Sequence, residues 1–286
     1  LGARMGVFFF LSTWVSLRFS LFYPVHVDGT YYFILILAFY ALLKQKDPLF
    51  LAALFLGSLS REYFLTLIPV YYFYRKEKGV FFDKNALKRT IILGIGPLFL
   101  FFLLRLLLPR SNPVFSYFQH ALYFLKMSSI HWRRLLHSFL NVYGVVIFIL
   151  LIHVKDFCFF LKKNPYLAVY LAICLIFLMI GGAERCRINF ISFPAVLISA
   201  SAVMSRHRSV YRSKVMIGFL TGAQLFLMRI YLPMETGNWR QIWWSNVSFC
   251  PNDVFHRSLI RYGLGFLAFL IIYSGIYLQA LKPPSK

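Results

Sequence analysis

Long apolar runs alternate along the chain with short clusters of charge. The runs fall at 5–22, 30–44, 48–60, 62–74, 91–108, 137–153, 165–181, 188–204, 215–232 and 259–281. Spans of roughly 15–20 apolar residues match the thickness of a bilayer core, which takes about 20 residues of helix to cross. The pattern predicts an all-α, polytopic transmembrane helical bundle of nine or ten membrane segments, built as one domain over 1–286. The runs at 48–60 and 62–74 are short for full spans and meet inside GSLSREYFL, residues 57–65. They predict the two arms of a helical hairpin or a broken helix pair, with the break at Ser60 and Arg61.

Composition supports this reading. The chain is 60% hydrophobic and only 14% charged, whereas a soluble domain carries about 25% charged residues. A net charge of +22 raises the question of nucleic acid. The basic residues, however, sit between apolar runs, as KQK at 44–46, RKEK at 75–78, KK at 162–163 and RHR at 206–208. That placement signals topology and attraction to anionic lipid, not a stripe that tracks phosphates. No P-loop or dinucleotide-binding glycine motif is present, so nucleic acid is not an expected partner. The four cysteines, Cys158, Cys174, Cys186 and Cys250, show no CxxC spacing of the kind that holds zinc. The chain begins at Leu1 with no signal-like segment before its first apolar run, and it is expected to be a fragment lacking its true N-terminus.

Positive charge orients the bundle. Connections 44–48, 75–90, 155–164, 205–214 and 282–286 hold 17 Lys and Arg, against 9 in the alternate set of 23–29, 61–62, 109–135, 182–187 and 234–258. The first set is assigned to the cytoplasm and the second to the extracytoplasmic or lumenal face. Two outer loops are long. Residues 109–135 mix aromatics, His and basic residues at helical spacing, as in a helix lying in the interface. Residues 234–258 carry three Trp suited to headgroup level. Cys186 and Cys250 both fall on this oxidising side, where they either pair or remain as two free thiols. On the cytoplasmic side Asp47, Glu77, Asp83 and Asp156 read as solvated loop acids, and His153 and His207 as structural histidines.

Three short outer turns concentrate charge at one depth: VHVDG at 25–29, SREYF at 60–64 and AERCR at 183–187. A charge at the centre of a membrane helix costs about 2.5–3.5 kcal/mol on insertion scales. A salt bridge between Arg61 and Glu62 is one reason to keep such a pair. The other is a polar site. Arginine forks grip phosphate oxygens, and a neighbouring carboxylate accepts a proton from an incoming hydroxyl. Asp28 and Glu62 are the candidate catalytic acids. Arg61, Glu184, Arg185, Arg187, His131, Arg134 and Arg240 are the candidate substrate-binding residues. Two or three acids at one face leave the participation of a divalent metal open.

The order of these features resembles the GT-C superfamily of membrane glycosyltransferases, in the mannosyltransferase-like group that uses polyprenyl-phosphate sugars. The resemblance rests on Asp28 opening a helix, the basic turn KQKD at 44–47, the aliphatic run ending in Arg61-Glu62, and GGAERCRINFISFPAVL at 181–197 with Pro194. It covers about 5–75 and 180–205. It implies transfer of a sugar from a polyprenyl-phosphate donor to a glycan, lipid or protein acceptor, in a bacterial inner membrane or the endoplasmic reticulum. It further implies that Arg185 or Arg187 holds donor phosphate while Asp28 and Glu62 line the acceptor site. One departure is that the surroundings of Asp28 match the family's second acid better than its principal one, which would then lie upstream of Leu1. The competing readings are a lipid-linked polysaccharide polymerase or ligase, which needs a larger outer loop, and a transporter, which would place its charges at mid-membrane.

Overall fold

The computed structural model of the chain describes residues 4–5, 8–9, 28–77, 79–80, 82–107, 119, 121–123, 125–126, 132–180, 185–228 and 252–281. All regular structure among them is helical. In order come α1 (Asp28–Leu43), α2 (Asp47–Ser60), a 3-10 turn (Glu62–Thr66), α3 (Leu67–Arg75), α4 (Lys84–Leu107), α5 (Trp132–Tyr143) and α6 (Val146–Ile152). They are followed by α7 (Val154–Lys163), α8 (Pro165–Ile180), α9 (Arg185–Phe190), α10 (Phe193–Arg206), α11 (Arg208–Tyr211), α12 (Lys214–Met228) and α13 (Asn252–Leu281).

Two helical stretches are long and apolar enough to cross a membrane alone, Lys84–Leu104 in α4 and Leu259–Ala280 in α13. A third span arises if α7 and α8, bent by 110° at their junction, count as one. Four further apolar stretches, in α1, α2, α10 and α12, are 10–17 residues long. At 1.5 Å per residue a helix of 14 residues rises about 21 Å, less than a hydrocarbon core about 30 Å thick. The apolar runs that predict nine or ten segments thus include many helices too short to be full spans.

Backbone breaks inside those runs are the reason. Arg61 is extended (φ −154°, ψ 136°) and ends α2, so the run after it becomes a 3-10 turn and a helix of nine residues. Gly144, at φ +54°, divides 137–153 into α5 and α6. A turn at Ile191 and Ser192 divides 188–204 into α9 and α10. The break at Arg61 falls where the charged pair predicts it; the other two lie inside apolar runs, and hydropathy, which counts side chains, does not register them.

The connection 155–164, expected as a loop, is the helix α7. Its residues Phe157, Phe160 and Leu161 follow i, i+3, i+4 spacing and pack against the core, which holds the segment helical. Asn164 then stops it. The Asn164 side-chain amide donates to the Phe160 carbonyl at 2.9 Å, and its backbone N–H reaches the same carbonyl at 3.0 Å. Pro165 opens α8 at the first helical position, where its missing N–H costs nothing.

Neighbouring elements pair in sequence. α1 packs on α2, α2 and α3 on α4, and α3 on α8. In the second half α5 packs on α9, α6 and α7 on α10, and α12 on α13. The α2–α3 hairpin is closed at the basic side by an ion pair, Arg75 Nη2 to Asp47 Oδ1 at 2.5 Å.

Candidate functional site

The three charged turns are linked through aromatic rings placed just inside them. α1 starts at Asp28, and Tyr31 in its first turn meets Phe64 edge to face, with centroids 5.0 Å apart. Tyr32 meets Phe190 of α9 in the same way at 4.6 Å. Tyr63 meets Phe177 of α8 at 4.9 Å. Phe190 stacks on Phe193, and Phe193 on Tyr143. Each edge-to-face pair adds about 0.5–1.5 kcal/mol beyond burial. The start of α1, the turn at 61–66 and α9 are therefore joined by one aromatic floor.

Phe64 is fully buried because Gly57 leaves room for it: a Cβ on Gly57 would fall within the Phe64 ring. The turn is held by the Arg61 N–H, which donates to the Gly57 carbonyl at 2.8 Å. Arg61 is half-buried and lies within electrostatic reach of the Tyr31 phenol.

Asp28 and Glu62 occupy the first positions of α1 and the 3-10 turn, Arg185 and Arg187 lie in α9, and Arg134 lies in α5. The side chains of these five lie outside the described residues, as do Glu184, His131 and Arg240 entirely. Most of the two long outer loops and the Cys186–Cys250 question also fall outside them. In sequence Asp28 stands three residues before Tyr31, Glu62 two before Phe64 and Arg187 three before Phe190, so each of these positions lies within about a turn of a ring of the aromatic floor.

Beneath α9 lies a polar node inside an otherwise apolar region. The Tyr143 hydroxyl donates to Asn189 Oδ1 at 2.7 Å and makes a short hydrogen bond with the Ser192 hydroxyl. The single Ser192 Oγ–H is shared between the Tyr143 oxygen and the Asn189 carbonyl, 2.6 Å away, and the Tyr170 hydroxyl donates to the Ile191 carbonyl at 2.8 Å. These bonds satisfy the turn between α9 and α10. They leave the amide nitrogen of Asn189, a residue only 3% exposed, without a hydrogen-bond partner. Asn189, Tyr143 and Ser192 line a cavity of about 320 Å³ that extends past Leu150 to Phe157 and is otherwise almost wholly apolar. Asn189 stands four residues after Arg185, so the two positions share one face of α9. The polar residues in RINFIS, within an apolar run, were the available sequence signal for this node.

A second cluster sits at the other end of α10. His153 and His207 occupy the breaks between α6 and α7 and between α10 and α11, and their rings stack with centroids 3.9 Å apart. Asp156 Oδ2 accepts from His207 Nε2 at 2.7 Å, and Asp156 Oδ1 accepts from Arg206 at 2.6 Å. The bond from His207, aided by the charge on Arg206, holds the Asp156 carboxyl below its ordinary value, so it is a carboxylate at neutral pH. Read separately along the chain, these residues were assigned to a loop and to isolated structural roles, but α7 and α10 bring them together.

No known protein family, curated protein or solved structure matches this chain.

Proposed function

We propose that the chain is a multi-pass membrane glycosyltransferase that moves a sugar from a polyprenyl-phosphate donor to an acceptor hydroxyl. In this reading the shorter apolar helices pack as further membrane segments around α4 and α13. The charged end of the aromatic floor faces the extracytoplasmic or lumenal side of a bacterial inner membrane or the endoplasmic reticulum. Asp28 and Glu62 line the acceptor site, one of them taking the proton as the hydroxyl oxygen attacks the anomeric carbon. Arg185, Arg187 and Arg61 hold the donor phosphate, which leaves with its lipid. His131, Arg134 and Arg240 are the further candidates for holding the substrates.

The observation that carries this reading is the groove below α9. An apolar channel suits a polyprenyl tail. Asn189, one of the residues lining it, has a buried amide N–H with no protein partner and stands on the helix face shared with the Arg185 position. A buried donor left unpaired costs about 1–3 kcal/mol, which a phosphate oxygen would offset.

The test is transfer by the purified chain in liposomes, supplied with a radiolabelled polyprenyl-phosphate hexose and an acceptor lipid. The expected result is product formation that Asp28→Asn and Glu62→Gln each reduce at least tenfold without changing insertion or gel-filtration behaviour. Use of a nucleotide sugar instead, or movement of the label across the bilayer without transfer, would replace this reading with a cytoplasmic enzyme or a transporter.

A further inference from the structure

We propose that His153, Asp156 and His207 form a binding site for one divalent cation of the zinc class, separate from the transfer site. One donor atom from each of the three lies within 4.8 Å of the other two. The geometry arises from two matched backbone breaks. His153 (φ −108°, ψ 35°) and His207 (φ −103°, ψ 45°) each end one helix and begin the next, and neither break uses proline or glycine. These angles turn both imidazoles inward until they stack, while Asp156, one turn into α7, swings its carboxylate across them.

Two of the three ligands, Asp156 and His153, already have a partner on the atom that would not bind metal. Arg206 holds Asp156 Oδ1 at 2.6 Å, leaving Oδ2 at 2.7 Å from His207 Nε2 and 3.8 Å from His153 Nδ1. The Tyr211 hydroxyl lies 3.0 Å from His153 Nε2. In the tautomer with Nε2–H donating to Tyr211, Nδ1 turns a lone pair toward the Asp156 carboxylate. That lone pair is available to a cation; in the other tautomer Tyr211 donates to Nε2 and Nδ1–H faces the carboxylate, so binding selects the first. Outer partners of this kind orient metal-binding histidines and carboxylates.

Zinc binds nitrogen and oxygen at about 2.0–2.2 Å, which sets tetrahedral ligands about 3.3–3.5 Å apart. The separations of 2.7 and 3.8 Å bracket that value. Coordination through Nε2 takes neutral His207 in the tautomer that carries its proton on Nδ1, so the Nε2 proton moves to Nδ1 and the Asp156 carboxylate exchanges its hydrogen bond for the cation. Two imidazoles and one carboxylate favour zinc, cobalt or nickel over magnesium or calcium. Three protein ligands leave the fourth position to water. Arg206, at 57% exposure, has its charge screened by solvent and opposes the cation only weakly. The 14 residues of α10 set this site about 20 Å from the turn at Ser192. Its role is to fasten two helix breaks together and not to share in transfer chemistry.

The test uses the full chain in detergent micelles, freed of any affinity tag and of metal, titrated with Zn²⁺ and then with Co²⁺. One equivalent retained after desalting, a Co²⁺ visible absorption band of tetrahedral intensity, and a midpoint rise of several degrees with Zn²⁺ but not Mg²⁺ are expected. His207→Gln and Asp156→Asn should each lose that equivalent and the rise. Should either variant fail gel filtration, the wild type decides: Zn²⁺ should protect His207 from diethylpyrocarbonate at least fivefold. Retention of the same equivalent by folded variants, no equivalent bound by the wild type, or no protection of His207 would overturn the site.

Discussion

The Tyr32 and Phe190 rings meet edge to face at a centroid distance of 4.6 Å, and this contact joins the helix opened by Asp28 to the helix that carries Arg185 and Arg187. Phe190 is fully buried and also stacks on Phe193. Removing its ring takes away both contacts and leaves a cavity under α9. Phe190→Ala should cost about 3–5 kcal/mol of stability, in line with large-to-small changes in packed cores. Tyr32→Phe, which keeps the ring, should cost less than about 1 kcal/mol. Thermal unfolding in detergent measures both, and equal losses would mean the aromatic contact is not what joins the helices.

Gly57 and Phe64 make a reciprocal fit. A methyl at position 57 collides with the ring, and the ring cannot move without displacing Tyr31. Gly57→Ala should therefore destabilise by about 1–3 kcal/mol, even though alanine is the better helix former by about 1 kcal/mol. Phe64→Leu added to that background should recover part of the loss, giving a coupling above about 0.5 kcal/mol in a double-mutant cycle. Strict additivity would show that the clash is relieved elsewhere.

Asp83 predicts a pH dependence. Its Oδ1 accepts the Ala86 N–H at 2.9 Å, and its Oδ2 accepts the Glu77 N–H at 3.0 Å, so it caps α4 and ties down the turn before it. These bonds, from Ala86 first and Glu77 second, lower its carboxyl from the unfolded value of 3.8. A lowered value in the folded state means that the stabilisation is complete above the unfolded value and is lost as pH falls through the folded one. Asp83→Ala should lower the midpoint by a constant amount from about pH 8 to about pH 5, and the gap should narrow below about pH 4. A gap that stays constant to about pH 2 would contradict this account.

Sidedness is open to direct labelling. In an otherwise cysteine-free chain, single cysteines at 78 and 208 should react with an impermeant maleimide only from the cytoplasmic side, and those at 111 and 238 only from outside. The native Cys158, exposed on α7 beside the basic cluster, should label together with 78 and 208. The reverse pattern would turn Asp28, Arg61 and Arg187 toward the nucleotide-sugar pool.

The helical class was legible because apolar runs of this length have few other solutions. The break at Arg61 was legible too, since a charged pair between two aliphatic runs is expensive to hold in a straight membrane helix. Other breaks gave no such sign. Gly144 and the Ile191–Ser192 turn sit inside runs read as continuous, and their breaks appear only in the fold. Helix α7 was hidden because its lysines and Asp156 resemble a loop by composition, while Phe157, Phe160 and Leu161 do their packing at helical spacing. The pairing of Asp156 with Arg206 and His207 depends on α7 lying against α10, and no local pattern carries that information. Asn189 could have been singled out as an amide inside an aliphatic run. Its bond to Tyr143 and its unpaired nitrogen emerge only from the fold.

The shortness of α2 has a consequence for the lipid around it. A bilayer that keeps Asp47 and Arg75 at one surface meets Arg61 about 21 Å further along the helix. That leaves about 9 Å of a 30 Å core unspanned. Hydrocarbon cannot close over an arginine at low cost, so with α2 as one of the proposed membrane segments the bilayer beside this edge would have to dimple inward or admit water to Arg61. Under the proposed function, a polyprenyl-phosphate headgroup arriving there would sink below the plane of its neighbours, its first isoprene units drawn down toward the level of the protein's aromatic rings.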